Sequence, residues 1–310
     1  MQSYEYTYNG YTINIFGSPD DLLGGVSDCN TSRSKKIIAV HKVTGFTSPE
    51  IRHSESVIIG NHGIVDHLSY IGSRLITLEG ILYGANENET LELMEDLNFY
   101  WNVADIPTPS NNGYAPLTFS KPGEPSKFVN AKIHSLSLVE RELQARKKYS
   151  FQVQFRCEDP RIYSTIQKTL SLDKAVLASG FPNFFPIMFG ASGYLNDETA
   201  ISDGNWSAPV EYTIENVGSG TVQSPRITNE TRGTYQEFNM EMDPGDTITV
   251  DTLQGTAVDQ DGNSVLKFET ELSSWIYISP RSTDTLRVTS MSGIPSATLS
   301  YRDTWISAPR

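Results

Sequence analysis

Cysteine is nearly absent from these 310 residues, Cys29 and Cys157 being the only two. They form neither a metal-ligand spacing nor a disulfide framework, so buried free thiols are the expectation. Long hydrophobic runs are missing as well: no segment approaches the roughly 20 apolar residues of a membrane span. The opening Met1-Gln-Ser-Tyr-Glu has neither the basic nor the apolar region of a signal peptide. The expectation is a protein without membrane insertion, made and assembled in a cytoplasm. Positive charge is scarce in the second half. Residues 166–310 hold 9 Lys and Arg against 18 Asp and Glu, so −9 of the total −13 falls there and −4 on residues 1–165. Such a surface repels polyphosphate, which argues against nucleic-acid recognition by the exterior. Four Asn-x-Ser/Thr sequons begin at Asn30, Asn88, Asn205 and Asn229. Without a signal peptide they read as chance products of an Asn- and Thr-rich β protein.

Helical periodicity is also scarce, and it marks one stretch. From Arg74 to Tyr83 the β-favouring Ile76, Thr77, Ile81 and Tyr83 cluster around Leu75, Leu78 and Leu82, which predicts a strand. Asn86 then offers an acceptor to orphan helix donors, with Glu89 three residues on as in a capping box. Thr90, Leu93, Met94, Leu97, Tyr100 and Trp101 recur at helical spacing, so one amphipathic helix is expected over 87–102, before Pro107. Nearly everything else reads as strand and turn. Such a helix covers one face or end of a β-sandwich.

With 38% hydrophobic and 20% charged residues, the chain has a folded protein's composition and the length for two cores. Asn9-Gly10, a preferred type I′ pair, separates the alternating Tyr4, Tyr6, Tyr8 from Tyr11, Ile13, Ile15 and predicts a hairpin. Residues 17–35, rich in Gly, Asp and Ser, read as loop, and 37–46 as strand. Residues 48–73 are polar with weak alternation, too long for an ordinary connection, and are expected to form a β-arm whose backbone finds few partners in its own domain. Prolines 107, 109, 116, 122 and 125 predict rigid turns around the short apolar Leu117-Thr-Phe119. The clearest strand puts Tyr149, Phe151, Val153, Phe155 and Cys157 on one face and Ser150, Gln152, Gln154 and Arg156 on the other. It ends at Glu158-Asp159-Pro160. Residues 166–205 read as a connecting region. From 206 to 310 a second all-β pattern follows, with turns at Pro244-Gly-Asp and Asp261-Gly262, a strand over Ser264-Val-Leu-Lys-Phe, and a jelly-roll-like sandwich as the simplest architecture.

Chemistry-bearing constellations are likewise missing. There is no Gly-x-Ser-x-Gly elbow, phosphate loop or His-Glu-x-x-His helix. His53, His62, Asp66 and His67 could offer metal ligands, but adjacent Asp66 and His67 point apart on a strand, and an exposed polar arm explains them equally. Asp259, Asp261 and Asn263 alternate like a calcium loop. Position twelve is Thr270, flanked by Glu269 and Glu271, so the distal bidentate glutamate is out of place and a hairpin turn is the simpler account. A glycosidase pair needs only to meet in space, so sequence leaves that alternative open. Trp206, Trp275, Tyr277 or Trp305 could stack on sugars, which leaves a carbohydrate-binding module as the alternative from another class, although sandwich tryptophans generally serve the core. Catalytic, cofactor-binding and metal residues are each expected to be none.

The order of motifs carries more than any one of them. Gly60-x-His-Gly63, then Tyr70-x-Gly-x-Arg74-x-Ile76-Thr-Leu-Glu-Gly80-x-Leu, a helix, and Phe151-x-Val-x-Phe155-x-x-x-Asp159-Pro160-x-x-Tyr163 resemble the amino-terminal domain of the distal tail proteins of long-tailed, non-contractile bacteriophages. Asn216-Val-Gly, Pro225-x-Ile227, Pro244-Gly-Asp, Ser274-Trp275 with Pro280, and Tyr301-Arg-x-x-Trp305 resemble that family's galectin-like second domain. One departure is Pro280-Arg281, where the family often has Pro-Gly.

The resemblance implies a mainly β protein with two sandwich domains. Residues 1–165 would form a ring-forming sandwich with helix 87–102 and arm 48–73, and residues 206–310 a galectin-like domain. It implies a structural role without cofactor: a homo-hexameric ring at the tail tip that joins the tail tube protein to the tip hub. Receptor-binding or side-fibre proteins would be held outside, while genomic DNA passes through the lumen without specific binding. The expected location is the virion.

Overall fold

A computed structural model describes residues 4–8, 11–15, 37–53, 55–57, 64–66, 69–84, 86–101, 114–120, 124–139, 148–175, 194–195 and 197–307. The chain divides into two compact units, Met1–Thr165 with Trp305–Arg310, and Ile166–Thr304.

The first unit contains β1 (Tyr4–Tyr8), β2 (Tyr11–Ile15), β3 (Ile37–Thr44), four short strands of the arm, namely β4 (Ile51–Arg52), β5 (Glu55–Val57), β6 (Ile64–Asp66) and β7 (Tyr70–Ile71), then β8 (Arg74–Tyr83), helix α1 (Glu87–Tyr100), β9 (Ala115–Ser120), β10 (Lys127–Val139), β11 (Lys148–Cys157) and β12 (Ile162–Ser164). The hairpin around Asn9-Gly10 is present as the β1–β2 ladder, with Tyr8 opposite Tyr11; the two turn residues, and the expected loop 17–35 with Cys29, lie outside the described residues. The island between prolines is β9, with Leu117 in the core.

The main sheet runs β11-β8-β3-β2-β1-β9-β10, and β10 pairs again with β11, so the sheet closes on itself. This sheet wraps a single core. The alternation of β11 explains the inner wall: Phe151, Val153, Phe155 and Cys157 are buried with Ile76, Leu78 and Leu82 of β8. Cys157 is a free thiol, pushed up to about 12 chiefly by burial.

Helix α1 begins as its capping box predicts. Asn86 Oδ1 accepts from the Glu89 amide at 2.9 Å and Asn86 Nδ2 donates to Glu89 Oε1 at 3.2 Å. Gly84 is what lets the helix start against β8, since a Cβ there would lie 2.7 Å from the Thr90 amide nitrogen. Thr90, Leu93 and Leu97 face inward, and Trp101 packs edge-on to Phe155 and Phe151, with centroids 5.5 and 6.4 Å away. Each buried leucine contributes about 1.5–3 kcal/mol, which outweighs the roughly 1 kcal/mol of the cap. The helix is shorter than the expected 87–102: Trp101 leaves helical geometry (φ −114°, ψ 26°) while its amide still reaches the Leu97 carbonyl.

The second unit contains β13 (Lys168–Ala175), β14 (Tyr194–Leu195), β15 (Glu198–Ser202), β16 (Ala208–Asn216), β17 (Val222–Gln223), β18 (Arg226–Asn229), β19 (Thr234–Glu237), β20 (Glu241–Met242), β21 (Thr247–Asp251), β22 (Thr256–Asp259), β23 (Tyr277–Ile278), β24 (Ser282–Thr289), β25 (Pro295–Tyr301) and β26 (Thr304–Trp305), whose last residue belongs to the first unit. One sheet has the order β14-β13-β25-β16-β21-β22 and another β15-β24-β18-β19. Both feed one core: Val210, Tyr212, Ile214, Ile248 and Leu299 come from the first, Ala200, Ile227, Leu286 and Val288 from the second. This is a two-layer sandwich.

Two expected boundaries are corrected. The described parts of 166–205 are not mere connection: β13 pairs along β25 from Lys168 opposite Tyr301 to Asp173 opposite Ser296, with Leu172 in the core, and β15 pairs along β24. The second unit therefore starts at Ile166 and not at 206. It also ends before 310, since Trp305–Arg310 return to the first unit and Trp305 packs on that core. Two apolar residues, Leu170 and Leu172, were too short an alternation to announce β13. A third expectation fails locally: Ser264-Val-Leu-Lys-Phe holds a 3-10 turn over Leu266–Phe268 in place of a strand.

Candidate assembly interface

The arm is built at Gly45. There φ is +97°, and a Cβ would lie 2.0 Å from the Leu75 carbonyl oxygen, so only glycine lets the outgoing chain pass so close to the returning β8. The chain comes back at Gly72, whose amide donates to the Glu50 carbonyl at 2.7 Å. Between them Ile51 faces Ile71, Arg52 faces Tyr70, and farther out Ser56 faces Val65 in the β5–β6 ladder. The expected arm of 48–73 is thus a hairpin that pairs with itself, which corrects the expectation that its backbone lacks partners in its own chain. Its ribbons are two-stranded, however, so among the described residues each strand keeps one edge without a ladder partner. Ile51 is 52% exposed and Tyr70 63% exposed, which gives those edges an apolar flank.

Arg74 fixes the root. It is 1% exposed, and its guanidinium donates to the carbonyls of Pro160 (2.9 Å), Gly45 (2.6 Å) and Ile306. Burial lowers its pKa, opposed by the negative charge of Asp159, and an arginine stays charged under such a shift. Next to Pro160, the Asp159 carboxylate accepts from the Arg161 amide (3.2 Å), from Arg161 Nη1 (3.0 Å) and from the Tyr163 hydroxyl. Tyr163 stacks on Phe128 at 5.5 Å, and burial followed by Asp159 raises its pKa far above the ordinary range. The spacing Arg74…Asp159-Pro160-x-x-Tyr163 in the sequence is therefore one connected hydrogen-bonded corner.

Beside the root lies a groove of about 360 Å³, lined by Ser48, Pro49, Glu50, Ser73, Leu75, His134 and Arg156. The β10–β11 register shifts between Ile133 and Ser135, so His134 is the extra residue of a bulge, a device that re-aims a side chain. Sequence reading missed this groove. A bulge leaves no signal in alternation, and Leu75, His134 and Arg156 come together only across the sheet.

The candidate ligands are not brought together as a site. His53 Nδ1 lies 3.1 Å from the Ser69 hydroxyl on the arm's inner ribbon, while Asp66 pairs opposite Glu55 on the outer one; His62 and His67 lie outside the described residues. Among the described residues no three His, Cys, Asp or Glu are grouped to hold a metal. Asp259 Oδ1 accepts from the amides of Asp261 (3.0 Å) and Asn263 (2.8 Å), and Gly262 takes φ +82°; this is a turn closed on itself, and those bonds, from Asn263 foremost, lower the Asp259 pKa. Glu269 accepts from Gln236 instead, and Glu271 is exposed.

The aromatic candidates are engaged from within the fold. Trp275 packs on the second core, and the Tyr277 hydroxyl donates to the Thr252 carbonyl at 3.1 Å. Trp206 bridges to Thr304, while Trp305 packs on the first core with the Lys127 ammonium 4.6 Å over its ring. Each is half-buried.

Residues 203–305 match the family described as the siphovirus-type tail component, C-terminal domain. Among solved structures, the Dit protein of phage SPP1, described as a paradigm of the hub adsorption apparatus in phages infecting Gram-positive bacteria, aligns over 97% of this chain and 98% of its own with 14% identity and a TM-score of 0.60. A chain of the phage P2 baseplate in its activated conformation with Ca aligns over 99% and 100% with 9% identity, at a TM-score of 0.45 too low to argue a shared fold. No curated protein matches the sequence. The SPP1 likeness establishes a common fold along nearly the whole chain, and the family match falls on the unit that carries Pro244-Gly-Asp and Ser274-Trp275. Residues 203–305 thus resemble the siphovirus-type tail component C-terminal domain, and the chain shares the fold of SPP1 Dit.

Proposed function

We propose that the protein forms a homo-hexameric ring joining the tail tube to the tip hub, with first units around the lumen and second units holding receptor-binding or side-fibre components. It is made in the host cytoplasm, acts in the virion, and performs no catalysis. The observation that carries this reading is the arm. Its two-stranded ribbons offer open edges and exposed Ile51 and Tyr70, the features that let a neighbour's strands extend a sheet. A head-to-tail contact of this kind ends only when rotation closes it, and a ring is that closure.

The second unit supports a different use. Three of its sheet edges carry capping bonds: Ser274 and Thr270 donate to the carbonyls of Tyr235 and Glu237 in β19, and Val265 donates to Ala257 in β22. Lys168 Nζ and the Tyr301 hydroxyl both donate to the Ile201 carbonyl in β15. Where edges are covered, partners are met through side chains, which suits a peripheral holder.

Replacing residues 51–71 by a short Gly-Ser link tests the reading. Glu50 and Gly72 already touch, so the unit stays folded, and native mass measurement should find monomers in place of rings. Rings of unchanged subunit number would refute the role of the arm.

A further inference from the structure

In a cyclic ring each copy uses two different surfaces, so the first unit must carry two patches that fit one another. Two such patches stand out. On the outer wall, Lys132, Arg156 and Leu75 lie directly opposite one another across β10, β11 and β8, hence side by side on one face, and His134 follows at the bulge. Arg156 and His134 are exposed, and Leu75 is 47% exposed at the groove beside the arm root. This is a cationic strip with an apolar end on a chain of net charge −13.

The other patch is the outward stripe of α1. Glu92, Glu95, Asp96 and Phe99 stand at helical spacing, opposite the buried Leu93, Leu97 and Trp101. The helix contains no Lys or Arg, and its last turn has no base. Acidic side chains toward a helix C-terminus oppose the macrodipole, so a cationic surface set against this stripe stabilises it. Phe99, 76% exposed, gives it an apolar end as well.

Resting on the ring reading above, we propose that the α1 stripe of one copy docks on the Leu75–Lys132–His134–Arg156 wall of the next copy. The occupant of the groove is a second copy of this chain. Acidic residues meet the cationic strip, Phe99 covers Leu75, and the arm crosses beside the same contact. Long-range attraction between the two patches also orients the incoming copy before close contact forms.

The test uses two reversals in the full chain: Glu95→Lys with Asp96→Lys on the helix, and Lys132→Glu with Arg156→Glu on the wall. Thermal melts establish that each variant is folded. Analytical ultracentrifugation should show each alone assembling at least about tenfold more weakly than wild type, since like charges now meet. Mixed in equal amounts, the two variants should assemble again, because in an alternating ring every lysine stripe faces a glutamate wall and every native stripe a native wall. Wild-type assembly should weaken as salt rises from 0.05 to about 0.5 M, where screening shortens to a few ångströms. Wild-type rings unchanged by either reversal, or singles that fail and stay apart when mixed, overturn this contact and leave the ring standing. Wild-type protein and the mixed pair both monomeric at the highest attainable concentration overturn the contact and the ring together.

Discussion

Arg74 donates from its guanidinium to the backbone carbonyl of Ile306, 232 residues later in the chain. The same group holds Gly45 at the start of the arm and Pro160 after β11. One buried cation thus ties together the arm root, the exit from the main sheet and the returning chain end.

Replacing Arg74 with Met keeps much of the volume and removes all three donors. Buried carbonyls left without partners cost about 1–3 kcal/mol each, so we expect the first unit to lose roughly 3 kcal/mol or more after relaxation. Arg74→Lys should recover only part of this, since one ammonium cannot span three carbonyls in the guanidinium's fixed fork. Urea unfolding followed through Trp101 and Trp305 fluorescence reports it. A loss under about 0.5 kcal/mol would show that the carbonyls are served otherwise.

Arg281 adopts φ +50° while its amide donates to the Gly204 carbonyl at 3.0 Å. A non-glycine residue in that region costs about 1–2 kcal/mol, offset in part by the greater unfolded-state freedom of glycine. Arg281→Gly should therefore raise the stability of the second unit by about 0.5–1 kcal/mol, seen as a higher denaturant midpoint at constant slope. Arg281→Val should lower it. Equal midpoints for all three would mean that the turn relaxes freely.

The alkaline side should be set by acids whose protons the folded state holds tightly. Burial pushes the Cys157 thiol from 9.0 up to about 12, and burial with the Glu158 hydrogen bond pushes the Tyr114 phenol from 10.0 to about 12. Because the folded state holds these protons more tightly, the stabilisation is fully present below pH 9, declines from there, and is gone above about pH 12. We expect unfolding free energy to fall across that window, and less so in Cys157→Ala once its own cavity cost is subtracted. The native Cys157 thiol should also resist iodoacetamide at pH 8 and react only on unfolding; rapid native labelling would contradict its burial.

Much of this protein was legible in the chain as written. Local rules fixed the hairpin at Asn9-Gly10, the capping box of Asn86 and Glu89, the alternation of β11 and the turn at Asp259, because each depends on neighbours a few residues apart. The order of Gly, Arg, Asp-Pro and Tyr motifs pointed to the fold that SPP1 Dit shares. Tertiary structure decided the rest. β13 has too few apolar residues to announce itself and exists because β25 offers it a ladder from Lys168 to Asp173. Trp305 reads as the end of the second domain yet packs on the first core, because the unit boundary falls between Thr304 and Trp305. The strip of Lys132, Arg156 and Leu75 has no sequence signature either, since cross-strand register and a bulge at His134, neither written in any one segment, place those residues side by side.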